Sequence, residues 1–219
     1  MNANVQKIWY WFARWICRWF FILSFDVRFY GRDNVPETGG VLLLSNHQSF
    51  LDPPLCGIGL ERQLCYVARD TLFSNPVFGW LISSVNVSAI KRDTADIAAI
   101  KLFIEKLKAG NAVVLFPEAT RTHDGKIADI KPGFGLLSRR ASVPIVPIVI
   151  DGAFECWPRT KKIFSPGRIT VVYGDLIPPE KIKEMGDEKF AVYLTDILRR
   201  MQNDLRTRLG KSVICYENV

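Results

Sequence analysis

Val41-Leu42-Leu43-Leu44-Ser45 runs directly into Asn46-His47-Gln48-Ser49-Phe50-Leu51-Asp52, and the reading of this stretch decides the fold. A short apolar run that stops abruptly at a polar cluster has the form of a strand delivering a functional loop. Three further runs end in the same way. LCYVA (64–68) leads to Arg69, VSAI (87–90) to Lys91-Arg92, and AVVLF (112–116) to Pro117-Glu118-Ala119-Thr120-Arg121-Thr122. As neighbouring parallel strands they bring all four clusters to the carboxyl edge of one sheet, where open α/β folds bind ligands. The clusters complement one another, offering a candidate base, a carboxylate to orient it and several arginines suited to an anionic group. The expected chemistry is on a phosphate-bearing substrate.

Outward from these strands the chain alternates in type. FDVRFYG (25–31) alternates like a strand, and residues 34–40 form a turn. Asp52-Pro53-Pro54 predicts a helix start with Asp52 as N-cap. Asn75-Pro76 opens a second helix over about 76–85. Residues 94–109 place Ile97, Ile100, Phe103, Ile104 and Leu107 on one helical face, and Gly110 ends that helix. A short helix is expected over 134–141, strands over 144–150 and 168–174, and a long helix over 188–209. Strands alternating with helices predict an α/β domain over 25–219, a mixed, largely parallel sheet flanked by helices. No repeat or interdomain linker interrupts it.

The chain has 219 residues and a formal net charge of +7, so an anionic partner is expected. Its basic residues are dispersed apart from pairs such as Arg139-Arg140 and Arg199-Arg200, so no nucleic-acid partner is expected. Cysteines 17, 56, 65, 156 and 215 are odd in number and contain no CxxC pair, which argues for reduced thiols in a cytosolic setting.

Residues 1–24 stand apart. VQKIWYWFARWICRWFFILS (5–24) holds four of the six tryptophans. On a helix, Lys7, Arg14 and Arg18 form one strip, and nearly all the remaining circumference is apolar. Its helical length matches a hydrocarbon core, but Arg14 and Arg18 near mid-segment cost about 2.5–3.5 kcal/mol each on insertion. The segment is expected to lie at a membrane surface, with tryptophans at the headgroup boundary and arginines reaching lipid phosphates. A helix buried against the domain has the same composition, and one face can serve each role. The expected location is peripheral or monotopic, on the cytoplasmic face of the cell membrane.

By itself the His47/Asp52 spacing is common, and a surface histidine beside a capping aspartate would look the same. Placed between a strand and a helix start, the pair can instead make a carboxylate-oriented imidazole base. FPEATRT (116–122) is more informative. Arginine matches phosphate through its planar fork, and Thr120 adds a hydroxyl donor. Glu118 cannot face phosphate, so it is expected to accept a hydrogen bond from another part of the substrate or to position an arginine.

NHQSFLD, AIKR, FPEATRT and VPIVPI, in this order, resemble the four blocks of the glycerolipid acyltransferase family, nearest in pattern to its bacterial 1-acylglycerol-3-phosphate acyltransferases. The resemblance covers about residues 25–180. It implies acyl transfer from acyl-CoA or acyl carrier protein to the hydroxyl of a lysophospholipid, with no other cofactor and no metal. By that likeness His47 is the base and Asp52 its orienting partner. Arg69, Arg92, Glu118, Thr120, Arg121 and Lys131 form the substrate-binding set, with Arg69, Arg92 and Arg121 on the acceptor phosphate. The Val143–Ile150 block lines the acyl or donor side. Backbone N–H groups near 46–52, or Arg69, are the expected oxyanion donors. The chain departs from the pattern at Ala119 (usually Gly), Thr122 (usually Ser) and Arg69 (often Lys); the first two read as small changes of bulk. Two other classes share these residues: a lipid-binding protein without catalysis, and a metal-dependent phosphohydrolase built on His47, Asp52 and Glu118.

Overall fold

The computed structural model describes residues 3–90 and 95–216. Among them seven strands form one sheet: β1 (Asp26–Tyr30), β2 (Val41–Ser45), β3 (Leu64–Arg69), β4 (Val87–Ile90), β5 (Ala112–Leu115), β6 (Ile145–Asp151) and β7 (Arg168–Tyr173). Their spatial order is β1-β7-β6-β2-β5-β3-β4. The pairing is parallel except between β6 and β7, so β1 and β7 form an edge running opposite to the other strands. The four runs that end in polar clusters are neighbours, as expected. Leu44 lies opposite Leu115, and Arg69 opposite Ile90, so their carboxyl ends share one edge.

The central strands are buried on both faces, which is why they are apolar without alternation. Leu43, Val114 and Ile148 point into one core with helices α1 (Ala3–Ser24), α2 (Asp52–Ile58) and α6 (Ala153–Cys156). Leu42, Leu44, Val113 and Val149 point into the other. That core is closed by α4 (Ala95–Lys108), α5 (Phe134–Ala141), α7 (Pro179–Met185) and α8 (Asp187–Arg208). Helix α3 (Pro76–Ser84) packs beside α1 and β4. Sequence periodicity places α3, α4, α5 and α8 within a residue or two of their observed ends. It misses α6, a single turn too short to show a period, and α7, whose Pro178-Pro179 is a start signal left unread.

Two candidate phosphate ligands escape description. Arg92 lies outside the described residues, and so does the side chain of Arg69, although its backbone closes β3.

Helix α1 departs from the expectation for its basic strip. Arg14 faces the protein: its side chain is 9% exposed and its guanidinium pairs with Glu61 at 3.6 Å. It also donates to the Ile58 carbonyl at 3.3 Å, at the end of α2, where the helix leaves carbonyls unpaired and its dipole favours a cation. Tyr10 and Phe21 are buried on the same side, and the Tyr10 hydroxyl accepts from Leu64 N–H at 3.1 Å. Trp9 donates to Ser84 Oγ at 2.8 Å, tying α1 to α3. The face left outside carries Ile8, Trp15, Trp19 and Leu23, the last 79% exposed, and it continues onto Val77 and Trp80 of α3. Arg14 thus turns in to the carbonyl and carboxylate that the domain supplies, while Arg18 of the same strip stays exposed beside the outward aromatic face. No helix among the described residues is long and apolar enough to cross a membrane.

Candidate active site

Beyond β2 the chain cannot continue its ladder, and each polar residue of Asn46–Ser49 is held by a different neighbour. The Asn46 side chain bonds both backbone groups of Ile150, donating to its carbonyl at 2.9 Å and accepting its N–H at 2.8 Å. Gln48 accepts Phe154 N–H at 3.3 Å and donates to the Gly125 carbonyl at 3.3 Å. Ser49 Oγ donates to the Trp157 carbonyl at 2.7 Å. His47, between these anchors, has its own peptide gripped by the loop after β5. Its N–H donates to Glu118 Oε1 at 2.8 Å, and its carbonyl accepts Thr122 N–H at 2.8 Å.

The imidazole lies 2.7 Å from Asp52 through Nδ1 and stacks on Phe116, with centroids 4.2 Å apart. Asp52 is the first residue of α2 and not its N-cap, which is Leu51. Its carboxylate turns back into the preceding loop, where Oδ2 also accepts the N–H groups of Gln48 at 2.5 Å and Ser49 at 2.6 Å. Burial pushes the Asp52 carboxyl above its ordinary value, while the His47 bond and the two N–H donors pull it back. With Nδ1 committed to Asp52, Nε2 is the nitrogen left for chemistry, and among the described residues nothing bonds to it.

These contacts narrow the set of expected oxyanion donors. The N–H groups of His47, Gln48, Ser49 and Leu51 all have side-chain acceptors, in Glu118, Asp52 and Ser49. Glu118 reaches two backbone donors: Oε1 holds His47 N–H at 2.8 Å and Oε2 accepts Ala128 N–H at 3.1 Å. It therefore positions the base's backbone, and each oxygen keeps a second lone pair. Burial lifts its pKa to about 6, against the pull of the two N–H donors.

Arg121 lies with its guanidinium 3.5 Å over the Phe50 ring, and its Nη1 is buried without a hydrogen-bond partner. Thr120 and Lys131 are exposed, and no described contact ties either to the His47 pocket. Thr122, beyond bonding His47, accepts Gly125 N–H at 3.1 Å through Oγ1 and so shapes the turn. The sequence reading missed Asn46, Gln48 and Ser49 as anchors. Their one signal was adjacency to His47 in an unbroken polar run.

Ala119 matters for its backbone and not for bulk. Its φ is +59°, in the left-handed region that disfavours a side chain. That conformation costs about 1–2 kcal/mol in a residue with a Cβ, and glycine's extra unfolded freedom offsets about 0.4–1 kcal/mol of the relief. Ala119→Gly should therefore stabilise the protein by about 0.5–1 kcal/mol. A urea midpoint unchanged or lowered would show that the turn is relaxed with alanine.

The comparisons with known proteins agree with this geometry. The family model described as Acyltransferase matches residues 26–151. A 1-acyl-sn-glycerol-3-phosphate acyltransferase of Pseudomonas aeruginosa is 34% identical, the match covering 80% of this chain and 68% of that protein. The chloroplastic 1-acyl-sn-glycerol-3-phosphate acyltransferase BAT2 of Brassica napus is 30% identical over 72% of this chain. The chain spans about half the length of the plant and algal relatives of Brassica napus, Arabidopsis thaliana and Chlamydomonas reinhardtii that it matches (47%, 42% and 48%). Among solved structures, the 1-acyl-sn-glycerophosphate (LPA) acyltransferase PlsC of Thermotoga maritima superposes with a TM-score of 0.83 at 26% identity, covering 95% of this chain and 85% of that one. With the family model spanning more than half of the sequence, and with the His47–Asp52 pair and the 116–122 loop meeting at one sheet edge, the chain belongs to the Acyltransferase family.

Proposed function

We propose that the protein transfers a fatty acyl group from acyl-CoA or acyl carrier protein to the free hydroxyl of 1-acyl-sn-glycerol 3-phosphate, giving phosphatidic acid. The observation that carries this reading is the His47–Asp52 contact at 2.7 Å with Nε2 unclaimed, together with a buried, unpartnered nitrogen of Arg121 over Phe50, the residue next to Ser49 of the His47 loop. Nε2 takes the proton of the acceptor hydroxyl as its oxygen attacks the thioester carbonyl. Nδ1–H donates to Asp52, which stabilises the imidazolium that forms. The tetrahedral intermediate then collapses, the C–S bond breaks, and the imidazolium returns its proton to the departing thiolate. No covalent enzyme intermediate is needed. Arg121, and by family likeness Arg69 and Arg92, hold the acceptor phosphate, with Thr120 and Lys131 at the rim.

The metal-dependent phosphohydrolase reading has less behind it, because among the described residues no three His, Cys, Asp or Glu side chains are grouped as metal ligands. Assay of the purified protein on lysophosphatidate with each carrier, with and without EDTA, tests the proposal. Acyl transfer that survives the chelator supports it. Release of inorganic phosphate abolished by EDTA, without acyl transfer, would replace it.

The outward aromatic face of α1 and α3 supports contact with a lipid surface, the source of the acceptor. A large apolar side chain moved out of water contributes about 1.5–3 kcal/mol. The Trp15→Ser/Trp80→Ser double variant should thus lose at least about tenfold in vesicle co-sedimentation, with an unchanged melting curve. Unaltered binding by a folded double variant would remove this face from the lipid contact.

A further inference from the structure

A closed ring of contacts brings a second arginine to the rim where Arg121 sits. Arg121 lies over Phe50, and the Phe50 ring meets Trp157 at 5.2 Å between centroids. Two residues beyond Trp157, Arg159 places Nη1 2.8 Å from His123 Nε2. His123 in turn lies two residues beyond Arg121. The loop carrying Arg159 is fixed from both ends: Trp157 accepts Ser49 Oγ at 2.7 Å and donates through Nε1 to the Lys161 carbonyl at 3.1 Å. Arg121 and Arg159 come close enough that, after burial, the Arg159 charge is the main influence lowering the Arg121 pKa. Among the described residues neither guanidinium pairs with a carboxylate, and Arg121 Nη1 has no acceptor. Two guanidiniums brought to one rim, one of them with an unfilled donor, form a site that an anion completes.

We propose that Arg159, with Arg121, forms a two-guanidinium site for the phosphomonoester of the acceptor, and that Arg159 sets the preference for a dianionic headgroup over phosphodiester headgroups. The inference rests on the function proposed above and assigns a residue outside the four sequence blocks. A single arginine suffices for a monoanionic diester, whereas a dianion gains from both forks. His123 is a positioning residue: in neutral form its Nε2 accepts the Arg159 N–H and tethers that side chain to the loop that carries Arg121.

The test compares wild type with Arg159→Gln, Arg159→Lys and His123→Ala. It measures acyl transfer to lysophosphatidate and to lysophosphatidylethanolamine, and binding of glycerol 3-phosphate by titration calorimetry. Arg159→Gln should raise the lysophosphatidate KM about 10-fold or more, as expected for loss of a charge-assisted hydrogen bond. It should leave the acyl-donor KM unmoved and shrink the preference over lysophosphatidylethanolamine by the same factor. Arg159→Lys should restore part of the loss, and His123→Ala should show a smaller rise in the same constant. Glycerol 3-phosphate binding should weaken in parallel. A change confined to the donor KM would assign Arg159 to the carrier's phosphates and overturn the proposal, as would unchanged acceptor KM and unchanged binding in Arg159→Gln. Wild type that binds glycerol 3-phosphate through Arg159 but transfers no acyl group would remove the proposed activity and leave the anion site standing. Wild type that does neither would remove both.

Discussion

His47→Ala should lower kcat/KM for acyl transfer by about 10²–10⁴-fold, the usual worth of a positioned general base, while the fold persists. No neighbouring group can take over the proton. Asp52 is fully buried, and its Oδ2 is already shared by the N–H groups of Gln48 and Ser49. Glu118 has both oxygens on backbone donors. The loop itself should hold, because its anchors use the His47 peptide and the side chains of Asn46, Gln48 and Ser49, not the imidazole. Circular dichroism and a melting curve close to wild type, together with the lost turnover, are the expected pair of results. Activity within a few-fold of wild type would remove His47 from the base role, and an unfolded variant would show that its stacking on Phe116 is structural.

Asp52→Asn should be comparably severe, with kcat falling by about 10³–10⁴-fold, as when an orienting carboxylate is made an amide in a hydrolase triad. The physical reason is a conflict among three donors. Oδ2 accepts from the imidazole, from Gln48 N–H and from Ser49 N–H, all within 2.7 Å. An amide has one oxygen and two N–H donors of its own. If that oxygen stays on the backbone pair, the new NH2 group occupies the buried Oδ1 position, which has no partner among the described residues. If the amide flips, its N–H faces the imidazole, the ring proton moves to Nε2, and the base is lost. Nitrogen NMR of the His47 ring distinguishes the two, with the proton on Nδ1 in wild type and on Nε2 in the flipped variant. A variant within tenfold of wild type that keeps the Nδ1 proton would show that Asp52 only braces the loop. Asp52→Ala should be worse for the fold, since two buried N–H groups lose their acceptor at about 1–3 kcal/mol each.

The legible and illegible parts of the site divide by the length scale of the interaction. His47 and Asp52 are five residues apart, at a strand-to-helix junction, and their contact follows from local geometry. The FPEATRT loop could be placed at the same edge because its strand was readable as a neighbour of β2. The part played by Glu118 could not be read, because it depends on which backbone N–H groups face it across 71 residues of sequence. Arg159 was invisible for the same reason. It follows no strand and belongs to no block, and only the Phe50–Trp157 contact and His123 bring it to Arg121.

The order of apolar runs, turns and helical faces by itself determined the α/β architecture, the parallel core and the edge that carries the chemistry. Those follow from periodicity and from the rule that a parallel sheet gathers strand ends on one side. Only the tertiary structure decided which way α1 faces. Its helical periodicity separates a basic strip from an aromatic surface, but not which of them meets protein. That choice went to Arg14 because the Ile58 carbonyl and Glu61 were in reach, contacts that exist only once α2 has folded. The grip of the 116–122 loop on the His47 peptide has the same origin: Glu118 and Thr122 meet it across the sheet edge, and a linear sequence carries no record of which donor will find which acceptor.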